Sequence, residues 1–163
     1  MLDGAPQILI DLEQSGLGSA IRQSTWVYAV ANTLHILGLV VFFSAVAVLD
    51  LRLLGFLGRY APGEIAGPAQ RMILSAFAVQ VASGFILFTA EASHVATNPV
   101  FQVKMALVLA GLANAAAFNL YAAHEMVKAR PGEAVPARFR VAALISLSVW
   151  LMVAALGRLI AYF

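Results

Sequence analysis

Four stretches of this chain become almost continuously apolar, and shorter polar stretches separate them. The longest is Thr25–Leu54 (TWVYAVANTLHILGLVVFFSAVAVLDLRLL), with no charge between Arg22 and Asp50. A helix needs about 20 apolar residues to cross the hydrocarbon of a bilayer. The pattern predicts spans over residues 25–49, 69–90, 103–126 and 141–163, with Asp50, Arg52 and Arg59 marking water after the first. Residues 55–68 and 128–140 carry Gly, Pro and charge and read as connections, while Glu91, His94, Asn98 and Pro99 form a short turn. Before the first span, Ile8, Leu9, Leu12, Leu17 and Ile21 alternate with Asp11, Glu13, Gln14 and Arg22. That alternation predicts a short amphipathic helix on the membrane surface, interrupted at Gly16 and Gly18. The expected fold is all-α: an interfacial segment over 1–24, then a single polytopic four-transmembrane-helix bundle over 25–163.

Composition agrees with this pattern. The chain is 62% hydrophobic and 11% charged, with mean hydropathy +0.89. Soluble domains are about 25% charged, so a water-soluble fold is excluded. There is no cysteine, which removes disulfides, iron–sulfur clusters and thiolate metal sites together. The net charge of +2 resides in short connections, where membrane orientation accounts for it, so no nucleic-acid partner is inferred. Arg52, Arg59, Arg71, Lys128, Arg130, Arg138 and Arg140 flank the connections after the first and third spans, against Arg22, Lys104 and Arg158 on the other side. The excess places those connections in the cytoplasm and both termini in the periplasm of a bacterial inner membrane.

Position within a span converts to depth at about 1.5 Å per residue. His35, the one ionisable group inside the first span, then lies roughly 15 Å deep, near the bilayer centre. Gln80, Asn114 and Met152 fall at a similar level on the other three helices. Tyr28, Asn32 and His35 follow the i, i+4, i+7 rule and share one helix face. Polar groups at such depth are costly unless they face protein or a ligand, so this face is expected to point inward. The expected site is a polar pocket around His35, lined by Asn32, Gln80, Asn114 and Met152 and opening outward near His94 and Lys104. Equally, His35 could hydrogen-bond Asn114 and serve only to specify helix packing. His94 in its turn and His124 at the inner end of the third span read first as solvated or interfacial groups. Arg158 lies within the apolar run LGRLIAYF and needs a carboxylate, and Glu91 at the same level is its expected structural ion-pair partner.

Several motifs resemble a known family. Trp26 and Tyr28 precede LHILG at 34–38 and LDLRLLG at 49–55; NPVFQVKMALVLAGLANAAAF follows at 98–118, then Trp150 and GRLIAY at 157–162. Together they resemble a bacterial family of uncharacterised four-helix integral membrane proteins, over about Leu12 to Tyr162. Asn32 and Asn119 stand where that pattern leads one to expect an acidic residue and a histidine. More distantly, His35 with its flank and Lys104 with the apolar run after it are similar to the copper resistance protein D family. They are also similar to the four-helix membrane protoporphyrinogen oxidase family, a resemblance that implies a b-type haem.

Three functions follow as expectations. A b-type haem between helices would take His35 as axial ligand, with Met152 or an open position opposite. Copper handling from the periplasmic side would use His35, His94 and Met105. A subunit without chemistry of its own would serve structure, or hold lipid or quinone, with the bilayer, other membrane subunits or a periplasmic protein as partners. No Gly-rich phosphate loop, metalloprotease motif or nucleophile elbow is present.

Reporter fusions at Gly63 and Gly132 are both expected to report cytoplasm. A periplasmic signal from either would contradict the orientation read from the basic residues.

Overall fold

A computed structural model describes residues 5–121, 125 and 132–162, the side chain of residue 62 excepted. The amphipathic start forms two short helices, α1 (Gln7–Gln14) and α2 (Gly16–Gln23), broken at Ser15. Four long helices follow: α3 (Thr25–Leu54), α4 (Pro62–Ala90), α6 (Pro99–Tyr121) and α7 (Ala137–Leu159), the last ending in a 3-10 turn, Ile160–Tyr162. Each is long and apolar enough to cross a membrane. Among the described residues there is no strand.

The helix ends correct the boundaries expected from charge. Ser24 caps α3, its Oγ accepting from the Val27 amide at 3.2 Å. The helix then passes through Asp50 and Arg52 and stops only at Gly55, in the left-handed region at φ 101°. Asp50 and Arg52 therefore lie within the helix and are covered by protein, at 5% and 1% exposed. Helix α4 begins at Pro62, because proline suits the first turn of a helix, and Glu64 accepts from the Ala61 amide at 3.0 Å. Asn98 caps α6 by accepting from Val100 at 2.8 Å, so that span also starts early, at Pro99. Its expected end at Met126 lies outside the described residues, as do His124, Lys128 and Arg130. The expected turn at 91–99 contains a further short helix, α5 (Ala92–Thr97).

The short helices close one end of the bundle. Glu13 accepts from the Ser93 amide at 2.9 Å and the Ser93 hydroxyl at 2.5 Å, at the start of α5. These hydrogen bonds hold its carboxyl below the ordinary glutamate range. Arg22 donates to the carbonyls of Glu13 and Ala90 at 2.7 and 3.0 Å, stitching α1 to the end of α4. At the opposite, basic end the two long connections meet, the Gly132 amide donating to the Gly58 carbonyl at 2.9 Å.

Helix α3 is the centre of the bundle. It packs most extensively on α4 and also on α7, while α6 leans on α7. Helices α4 and α6 share few close backbone approaches, leaving one side of the bundle a seam. The main core is Phe42, Val46, Ala76, Trp150 and Val153, with Phe42 edge-on to Trp150 at 4.7 Å. Closeness depends on small residues, as it does wherever lipid competes with protein for apolar contact. A Cβ at Gly111 would lie 2.9 Å from Trp150 Cζ2, so α6 reaches the core only because no side chain stands there.

Gly111→Leu is accordingly expected to destabilise the protein by about 1–3 kcal/mol through overpacking. Gly67→Ala, where a Cβ would meet nothing within 4 Å, should be neutral or slightly stabilising. Unfolding of both variants in a bilayer mimetic checks this; equal effects would contradict the close approach of α6 to Trp150.

Candidate functional site

His35 sits where α3 and α4 come closest. Its Nδ1 lies 2.9 Å from Ser83 Oγ, and the Ser83 hydroxyl donates to the Val79 carbonyl at 2.6 Å. That hydroxyl has one proton; with it on Val79 the oxygen accepts from His35 Nδ1. Packing tightens this pairing from both sides. A Cβ at Gly84 would be 3.2 Å from His35 Cε1, and one at Gly38 would be 2.9 Å from Gln80 Nε2. Gln80 donates to the His35 carbonyl. His35, Gln80 and Ser83 thus form a helix–helix lock.

Only part of the layer expected around His35 assembles. Gln80 reaches it. Asn114 does not: its Nδ2 donates to the Ala142 carbonyl at 3.1 Å, on α7. Because α6 starts at Pro99, Asn114 lies deeper toward the basic end than a start at 103 implied. Met152 is 52% exposed. It lies two residues from Trp150, and two residues turn a helix by about 200°, which moves it off the buried face. Asn32 is also exposed. The ammonium of Lys104 lies beside Gly157, within electrostatic reach of His35. His94 stands exposed on α5, and among the described residues no three His, Cys, Asp or Glu side chains gather as a metal site would require. The His35–Met152 haem pair and the His35–His94 copper pair therefore lack an assembled donor set here.

Glu91 and Arg158 do not pair. Arg158 donates to Tyr162 Oη at 2.8 Å and stacks over that ring, a partner one turn away on its own helix. Glu91 is exposed, within electrostatic reach of Tyr28. Among the described residues the ion pair present is Arg138 with Glu125.

A cavity of about 380 Å³ does lie between the four long helices, at the level of Asp50 rather than His35. Its polar lining is Asp50 from α3, Gln70 from α4, Asn114 and Asn119 from α6, and Ser146 from α7. Phe42, Phe77, Phe118 and Trp150 supply aromatic walls. Ser146 is within hydrogen-bonding reach of the Asp50 carboxylate, yet Asp50 Oδ2 is buried without a partner. Leu74 and Leu112 line the cavity and are exposed as well, at 70% and 37%, so its mouth opens through the seam between α4 and α6. That seam is bridged at its ends, by Gln70 donating to Asn119 at 3.0 Å and by Phe88 stacked on Phe101 at 5.7 Å.

A charge after an apolar run reads as the edge of the membrane, so the sequence assigns Asp50 to the boundary and not to a site. A signal was nevertheless present: Phe42, Val46, Asp50 and Leu53 recur at the spacing of one buried helix face. Arg52 is buried separately, its Nε donating to the Tyr60 carbonyl at 2.9 Å.

Comparison with known proteins gives one positive result. A family model described as a family of unknown function (DUF6644) matches residues 11–163. No curated protein and no solved structure matches the chain.

Proposed function

The chain belongs to the family of unknown function DUF6644, and we propose that it is a membrane binding protein that takes a small amphipathic molecule directly from the bilayer. The cavity beside Asp50 carries this reading. It has the size and make-up of a small-ligand site, apolar walls with a few convergent polar groups. Its mouth is flanked by leucines that face lipid, so a ligand dissolved in the membrane enters without crossing water. The chain would do this in the inner membrane of a bacterium, with the cavity in the cytoplasmic half, where the excess of basic residues puts that end.

His35 takes a packing role in this account. Its hydrogen bond to Ser83 and its contact with Gly84 hold α3 against α4, and that contact supports one wall of the cavity.

The chain has two tryptophans, so Trp26→Phe leaves Trp150, in the cavity wall, as the sole fluorophore. In nanodiscs, 8-bromo-octanol should quench Trp150 saturably. Ala115→Phe, which fills the mouth side of the cavity, should weaken that binding by about tenfold or more, equivalent to about 1.4 kcal/mol. Quenching that rises linearly with probe in both proteins would contradict the binding reading.

A further inference from the structure

Asp50 is a carboxylic acid at the end of a long apolar helix, and it is 5% exposed. Among the described residues, one of its oxygens has no hydrogen-bond partner and no Lys, Arg or His lines the cavity it borders. The basic residue nearest in sequence, Arg52, does not line the cavity; its Nε donates to the Tyr60 carbonyl and its buried Nη2 has no partner among the described residues. A carboxyl group held in apolar surroundings is costly to ionise, and a positive charge beside it removes that cost.

The remaining polar groups are neutral. Asn114 spends one amide hydrogen on Ala142, Asn119 one on Ala115, and Gln70 one on Asn119. Each amide keeps a second hydrogen, and the side-chain oxygens of Asn114 and Gln70 receive no hydrogen bond among the described residues, so the amides offer donors and acceptors alike. Asp50 is the group that sets the sign of the site. The cavity's four aromatic side chains add rings whose negative faces attract cations.

We propose that the ligand suited to this cavity is a lipid-soluble organic ammonium. Its charged head is held by Asp50 among Phe42, Phe77, Phe118 and Trp150, and its apolar tail leaves between α4 and α6. This rests on the binding reading given above and adds the chemical class of the ligand. A neutral alcohol would satisfy the free oxygen without supplying the missing charge. A carboxylate or phosphate head would meet the like charge of Asp50.

The test uses three competitors with one tail and different heads. Octylammonium, 1-octanol and octanoate each displace 8-bromo-octanol from the Trp26→Phe protein in nanodiscs, with concentrations corrected for partition into empty discs. Octylammonium should bind at least about tenfold tighter than octanol, a typical gain for a charge-assisted hydrogen bond, and octanoate should not compete. Asp50→Asn should abolish the preference, so that octylammonium and octanol bind that variant about equally. If that variant does not fold, the ratio in the parent protein decides alone. Octanol equal to or tighter than octylammonium would overturn the ammonium assignment and leave the binding reading standing. Failure of the brominated probe to bind at all would remove both.

Discussion

The hydrocarbon of a bilayer offers no hydrogen bonds, so polar side chains in a spanning helix must find partners within the protein. Among such groups on helix α3 are His35 and Asp50, fifteen residues or roughly 22 Å apart along the axis. Helix α4 contributes at both levels, through Gln80 and Ser83 at the first and Gln70 and Phe77 at the second, and Ser146 of α7 joins at the second. Helix α3 thus packs against α4 and α7, while α6 is attached chiefly through α7. The seam lies between α4 and α6, at the two ends of that series of contacts.

The two polar levels are resolved in opposite ways. At His35 the partner groups come from α4 and are paired: Ser83 meets the ring, Gln80 donates to the carbonyl, and glycines on both helices let them approach. At Asp50 larger side chains hold the helices apart. Phe42, Phe77, Phe118 and Trp150 prop the walls, Ser146 approaches one side of the carboxylate, and an oxygen is left over. The first arrangement stabilises the fold. The second leaves room and unmet chemistry, which is what a binding site requires.

Much of the fold was legible in the sequence, because crossing a bilayer demands long apolar runs whatever the packing. The amphipathic start was legible too, from Ile8, Leu12 and Ile21 set among charges. The helix ends were less so. Asp50 and Arg52 look like the edge of the membrane but continue α3, and Pro62 looks like loop but begins α4. Those shifts carry Asn114 away from the level of His35. Which way a side chain faces was harder still. Lipid is as apolar as the core, so the faces of α7 differ little in composition, and nothing in the residues around Met152 marks it as outward and Trp150 as inward. The pairing of Arg158 with Tyr162 instead of Glu91 reflects a nearer partner, which depth alone does not weigh.

The central claim is that the space beside Asp50 belongs to the bilayer and the protein, and not to the water at the basic end. A nitroxide attached at Ser146→Cys measures this directly, through relaxation by oxygen, which partitions into lipid, against relaxation by a water-soluble nickel chelate. The account predicts strong relaxation by oxygen and little by the chelate. Relaxation dominated by the nickel chelate would mean that Asp50 faces water after all, and would contradict it.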